Sequence, residues 1–164
     1  PYIHAILNFM IFMAICWVSK TTFWYAFAAF FGIQLQGTLY NYYYVILRHK
    51  SIGGDSTSKI FEYKTPKALP GETQKSVTLL FRIYTIVYGL FDKIIHALDQ
   101  EAYKVKTFPN WFMSLLSIYG LGFQLLIIAV MLPLHLIEYI APFFIAYTLM
   151  IFILIAIRKR FISE

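Results

Sequence analysis

The stretch 23–50 constrains the fold of this chain more than any other segment. It is long enough to cross a bilayer, since about 20 apolar residues suffice for a spanning helix. It nevertheless contains Gln34, Gln36, Thr38 and Asn41. Of these, Gln34, Thr38 and Asn41 fall near one helical face, and the same face continues to Arg48, because the offsets follow the 3.6-residue period. A spanning helix with such a polar stripe does not face lipid all round, so the stripe is expected to line a cavity or a polar partner.

The composition favours a membrane protein. The chain has 164 residues, of which 60% are hydrophobic and 13% are charged, whereas a soluble domain has about 45–50% apolar and about 25% charged residues. We therefore predict a single all-α integral membrane domain over residues 1–164. The lone Cys16 excludes a disulfide framework. The sequence offers no basic, aromatic-interleaved soluble surface, which disfavours nucleic acid as a partner.

Hydropathy and turn residues divide the chain into four predicted transmembrane helices and one further helix. The spans are expected at about 2–18, 23–47, 110–132 and 140–157, with a tight turn at 19–22. A polar loop, broken by glycine and proline, covers 48–76. Residues 77–98 carry an apolar face and a polar stripe at helical spacing, which predicts an amphipathic helix at the membrane interface. Asp92 and His96 are four residues apart on that stripe, within pairing distance.

The distribution of basic residues sets the predicted topology. Lys and Arg are concentrated in the 48–76 loop and again at Arg158, Lys159 and Arg160. Cytoplasmic loops carry such an excess, and basic clusters attract anionic lipid head groups. If 77–98 lies flat on the membrane, both clusters lie on the same side. We therefore expect both chain ends and the 48–76 loop to be cytoplasmic, and membrane lipids to be partners.

Two groups of residues are candidates for a binding site, and each has a structural alternative. Gln34, Thr38 and Asn41 form either the wall of a cavity or interhelical hydrogen bonds that fix packing. Arg48, His49 and Lys50 bind a phosphate or lipid head group, or anchor the topology. No catalytic motif or metal-ligand cluster is recognisable, so no catalytic residue and no metal ligand is predicted from the pattern alone. Two potential metal ligands, His135 and Glu138, lie three residues apart in the turn after the third span, but a solvated pair at the membrane interface is the favoured interpretation.

The segment YNYYYVILRHKSIGGDSTSKIFE, residues 40–62, resembles the region after the fourth span of CDP-alcohol phosphatidyltransferases. The amphipathic segment LLFRIYTIVYGLFDKIIHALD and the final hairpin of two spans follow in a similar order. The resemblance implies transfer of a phosphatidyl group from a CDP-linked lipid to an alcohol, with Mg²⁺ as cofactor. It also implies a phospholipid-biosynthesis role, a homodimer, and a phosphate contact at Arg48.

The sequence departs from that family at its defining motif. The family carries D-x-x-D-G-x-x-A-R followed by G-x-x-x-D-x-x-x-D, and neither segment occurs in these 164 residues. The resemblance therefore places the catalytic segment upstream of Pro1. The alternative is a non-catalytic subunit of a larger membrane complex, which would pack its polar stripe against partner helices. A small transporter is disfavoured, because no internal repeat is visible.

Overall fold

The computed structural model describes residues 2–51 and 65–162, and every regular element in this part of the chain is a helix. The α-helices are α1 (Tyr2–Val18), α2 (Phe23–Ser51), α3 (Gln74–Val87), α4 (Gly89–Leu98), α5 (Asn110–Leu116), α6 (Leu121–Met131), α7 (Ile137–Thr148) and α8 (Met150–Phe161). Two 3-10 helices, Gln100–Lys104 and Ser117–Tyr119, connect some of them. The predicted all-helical class is confirmed. Residues 52–64 of the predicted 48–76 loop lie outside the described residues.

The first two helices form an antiparallel hairpin. α1 ends at Val18 and α2 begins at Phe23, as the turn signal at 19–22 predicted. Lys20 adopts a φ of 55°, and the Thr21 amide donates to the Cys16 carbonyl at 3.1 Å. A left-handed residue is a common way to end a helix, because it returns the chain and satisfies a terminal carbonyl.

The bundle is organised around α2. It packs against α1, α4 and α7, and its second half also contacts α5. The α2 residues Ala29, Ile33 and Leu39 are buried in two apolar clusters that follow one another along the helix. The α5–α6 segment runs antiparallel to α2, whereas α7–α8 runs parallel to it, as the order of their residues in the two clusters indicates. An up-and-down order of this kind follows from short connections between neighbouring helices.

α2 and α7 approach each other closely at Gly32. A Cβ atom at this position would lie 2.3 Å from Thr148 Oγ1. Gly122 makes no such contact, because a Cβ on it would meet nothing within 4 Å. Small residues permit helix backbones to approach, and in this bundle the approach lies at Gly32.

Gly120 instead marks a bend. Its φ of −65° and ψ of 142° are extended, and it separates the 3-10 helix Ser117–Tyr119 from α6. The segments before and after it differ in direction by 52°. The predicted span 110–132 therefore corresponds to a bent pair of helices. The predicted span 140–157 corresponds to the longer helical stretch Ile137–Phe161, which tolerates Pro142 near its start.

The predicted amphipathic segment 77–98 forms two helices with Tyr88 between them. α4 packs on α2: the rings of Phe31 and Phe91 lie 5.0 Å apart, and Ile95 is fully buried. α3 packs mainly against α4, its neighbour in sequence. The second half of the segment therefore belongs to the bundle, and only α3 lies at its periphery.

Length and composition single out few helices for crossing a membrane. Among the described residues, the 25-residue stretch Ile137–Phe161 qualifies, and the bent pair Asn110–Tyr119 and Leu121–Met131 is a second if it counts as one span. α1 is apolar but shorter. α2 has 29 residues, but its polar side chains lower its hydropathy, and it does not qualify. A core helix of a soluble protein passes the same test, so these helices give a weak indication of a membrane.

Candidate functional site at the basic end of the bundle

The basic residues at the C-terminal ends of α2 and α8 lie at one end of the bundle. The end of α2 reaches the segment after α4, where Lys50 Nζ donates to the Val105 carbonyl. The end of α8 reaches the same segment, because Lys159 Nζ donates to the Leu98 carbonyl at 3.0 Å. We call this the basic end: the C-terminal turns of α2 and α8 together with residues 98–106. The turns at 19–22 and 132–136 lie at the opposite end.

An ion pair between Asp99 and Arg158 is buried beneath the basic end. Both side chains are almost fully excluded from solvent. Arg158 Nε donates to Asp99 Oδ2 at 2.7 Å, and Arg158 Nη2 donates to Oδ1. Such two-pronged pairing is the geometry for which a guanidinium is suited. Sequence reasoning had assigned Arg158 to a basic cluster on the membrane surface, but its side chain points into the bundle.

Two tyrosines of α2 complete the environment of Asp99. The Tyr43 hydroxyl donates to Asp99 Oδ2 at 2.6 Å, and the Tyr42 hydroxyl donates to the Asp99 carbonyl at 3.0 Å. The Tyr42 oxygen also lies 3.2 Å from His96 Nδ1. The structure shows that Tyr42 and Tyr43 face inward, whereas Tyr44 is exposed.

These contacts determine what Asp99 can do. Its carboxylate already accepts hydrogen bonds from Arg158 and Tyr43, so the charge is compensated and the oxygens are occupied. A buried carboxylate without these donors would carry a large desolvation penalty. The arrangement joins α2, α4 and α8 at one point, and it positions the chain that connects α4 to α5. Asp99 is therefore an anchor of the basic end.

The surface around this anchor is positively charged. Arg48, His49 and Lys50, which were predicted to bind a phosphate or head group, are exposed at the end of α2. The two acidic residues of the 98–106 segment already have cationic partners: Asp99 pairs with Arg158, and Glu101 pairs with Lys104 at 3.1 Å. Among the described residues of this end, the other charged side chains, Lys106, Lys159 and Arg160, are positive and exposed. The end can therefore attract an anion.

The predicted polar stripe of α2 lies between the buried and the exposed faces of the helix. Gln34 and Thr38 are half-buried, and Asn41 is exposed. Arg48 continues the stripe to the basic end and is exposed as well. The stripe therefore reaches the surface of this chain, and its assignment as a cavity wall stays a prediction.

A polar layer that sequence reasoning missed crosses the middle of the bundle. Gln36 Nε2 donates to Thr148 Oγ1 at 2.9 Å and to the Phe144 carbonyl at 3.2 Å. Gln124 Nε2 donates to Gln36 Oε1 at 3.0 Å. Both glutamines are buried, and they separate the two apolar clusters. A signal existed in the sequence: Gln124 is a lone polar residue in the apolar run of α6, and such residues face a bundle interior.

The described residues do not fit the Mg²⁺ that the family resemblance implies. No group of three or more His, Cys, Asp or Glu side chains in residues 2–51 and 65–162 is arranged to hold a metal ion. Asp99 is occupied by Arg158 and Tyr43. His135 and Glu138 lie exposed at the opposite end of the bundle.

Comparison with protein-family models, with curated proteins and with solved structures finds no match for this chain.

Proposed function

We propose that this chain is a multi-pass membrane domain of phospholipid biosynthesis that binds a phosphate-bearing lipid head group at its basic end. The observation that carries the proposal is the convergence of exposed cations from α2, the 98–106 segment and α8 over the Asp99–Arg158 anchor. In this proposal the ligand is a CDP-linked lipid, as in CDP-alcohol phosphotransferases. The chain supplies head-group contacts, and the aspartates of the transfer reaction are not among its residues.

The membrane assignment is supported by the surface of the bundle. Only 33% of the most apolar window of Ile137–Phe161 is buried within the chain. Large apolar side chains are exposed on other helices as well, including Trp24 on α2 and Val130 on α6. A bilayer would remove this exposed apolar surface from water. The proposal therefore keeps four spans, formed by α1, α2, α5–α6 and α7–α8, with the basic end in the cytoplasm.

Arg48 is the residue we assign to the phosphate. A guanidinium matches a phosphate bidentately, and Arg48 lies where the polar stripe of α2 meets the basic end. Lys50 lies two residues further along α2 and does not continue the stripe. We therefore expect Arg48→Ala to weaken head-group binding more than Lys50→Ala. Equal and small effects would reduce this cluster to a topology anchor.

The test measures binding of CDP-diacylglycerol to the purified protein in nanodiscs by native mass spectrometry. Replacing Arg48, His49 and Lys50 together by glutamine should weaken binding at least tenfold. Lys20→Gln is the matched control, because Lys20 is an exposed cation at the opposite end. Equal binding by the triple variant and the control would refute the head-group site. Release of CMP with magnesium and a panel of alcohols then separates a catalytic protein from one that only binds.

A non-catalytic subunit of a membrane complex is the second proposal, and one observation favours it. Asn41 is exposed and Gln34 and Thr38 are only half-buried, and polar side chains that face lipid are costly. A helix of a partner, either a second copy or another subunit, would remove this cost. Single-cysteine crosslinking at Asn41, in a Cys16→Ala background, tests this proposal. A stoichiometric crosslinked complex with a different protein supports a subunit, and a crosslinked homodimer supports self-association. The absence of any crosslinked product argues against both.

A further inference from the structure

The outward face of α3 combines exposed apolar side chains with cations. Leu79, Ile83 and Ile86 follow the spacing of one helical face, and Ile86 is 75% exposed. Lys75 and Arg82 lie four residues before Leu79 and Ile86, respectively, so they occupy the edge of the same face. Both cations are exposed. The opposite face of α3 is turned towards α4, with Val77 and Phe81 half-buried.

The charge on α3 has one sign. Lys75 and Arg82 are its charged residues, and it carries no Asp or Glu. The two cations lie beside Leu79 and the polar side chains of Gln74 and Thr78 around one open depression on the surface of α3. This depression offers charge and hydrogen bonds for a phosphate beside an apolar stripe. A helix with apolar and basic residues on one face is suited to lie in the head-group region of anionic lipids.

We propose that the outward face of α3 binds anionic phospholipid, with Lys75 and Arg82 contacting lipid phosphate and Leu79, Ile83 and Ile86 contacting acyl chains. This inference rests on the membrane assignment made above, and it names a lipid contact separate from the basic end. An acidic partner protein would also complement the two cations. The lipid is favoured because one monolayer supplies both the negative charge and the apolar contact that this single face presents.

The depth of α3 is measured on the full chain in nanodiscs of phosphatidylcholine with or without phosphatidylglycerol. A spin label is placed at Ile86→Cys in a Cys16→Ala background, with Thr85→Cys as the matched control on the adjacent polar side. The label at 86 should be more accessible to oxygen than to a water-soluble nickel chelate, and the label at 85 should show the reverse. A label at Phe152→Cys, on the exposed apolar surface of α8, reports whether the bundle itself is in the bilayer.

The charge requirement is measured separately. Phosphatidylglycerol should be enriched around the protein relative to the rest of the bilayer. This enrichment should fall about fivefold for each cation removed in Lys75→Gln and Arg82→Gln. Lys20→Gln should leave the enrichment unchanged.

The outcomes separate this inference from the proposed function. A label at 152 that is more accessible to oxygen, together with a label at 86 that is more accessible to the nickel chelate, would overturn the α3 contact alone. Nickel access at both positions would also overturn the membrane assignment. Protection of the label at 86 from both reagents would show a protein partner in place of lipid. Unchanged enrichment in both charge variants would overturn the phosphate contact.

Discussion

Asp99 and Arg158, 59 residues apart in the chain, form a buried ion pair that joins the end of α4 to the end of α8. Tyr43 extends the contact to α2 through its hydrogen bond to Asp99. The basic end of the bundle therefore depends on the buried carboxylate of Asp99. Loss of either partner leaves the other charge buried and uncompensated.

Replacement of Asp99 by alanine should destabilise the protein by about 3–5 kcal/mol, because Arg158 would keep a buried charge without a partner. Thermal and denaturant unfolding in detergent measure the change. Glu101→Ala is the control, since the Glu101–Lys104 pair is exposed and should contribute less than about 1 kcal/mol. The double variant Asp99→Leu with Arg158→Leu should be more stable than Asp99→Ala. Equal destabilisation by Asp99→Ala and Glu101→Ala would contradict the role of Asp99 as an anchor.

Removal of one hydroxyl tests the contribution of α2 to this anchor. Tyr43→Phe should cost about 1.5–3 kcal/mol, the range for a hydrogen bond to a charged group, because Asp99 Oδ2 loses a donor at 2.6 Å. Tyr44→Phe makes the same chemical change on an exposed side chain and should be nearly neutral. The two variants are compared by unfolding under identical conditions. A neutral Tyr43→Phe would mean that Arg158 alone satisfies the carboxylate.

Two glycines of α2 give a matched test of helix packing. Gly32→Ala should destabilise the bundle by about 1–3 kcal/mol, because its Cβ would lie 2.3 Å from a Thr148 hydroxyl that Gln36 holds in place. Gly37→Ala meets nothing within 4 Å and should stabilise the helix by about 0.5–1 kcal/mol. Unfolding experiments report both values. Similar behaviour of the two variants would exclude a close contact at Gly32.

Labelling from one side of the membrane tests the proposed topology. Single cysteines at Lys50 and Lys159 should react with a membrane-impermeant maleimide from the same side, because both side chains contact the 98–106 segment. Cysteines at Lys20 and His135 should react only from the other side. All variants are made in a Cys16→Ala background, and intact and inverted vesicles distinguish labelling from the two sides. Labelling of Lys50 and Lys20 from one side would refute a spanning α2.

Local patterns were sufficient for most of the helical elements. Apolar runs and turn residues predicted α1, the turn at 19–22 and α2 within a few residues, because these features depend on neighbours in sequence. The bend at Gly120 and the break at Tyr88 were not predicted. Both depend on how the flanking segments pack, since α4 turns onto α2 while α3 remains at the periphery.

The polar interior was harder to predict from sequence. Helical periodicity grouped Gln34, Thr38 and Asn41, but it does not determine which face of a helix points inward. The structure buries Gln36 instead and pairs it with Gln124, 88 residues away. The same limit applies to the basic cluster at the end of α8, where Arg158 is buried while Lys159 and Arg160 are exposed.

The sequence by itself therefore determined that this chain is helical, rich in apolar surface and basic near the ends of two helices. Only the tertiary structure decided that these two ends meet, that Asp99 compensates Arg158 between them, and that Gln36 rather than Gln34 lies inside. The physical reason is the range of the interactions. Helix formation depends on residues a few positions apart, whereas the burial of a charge requires a partner that the fold brings from a distant helix.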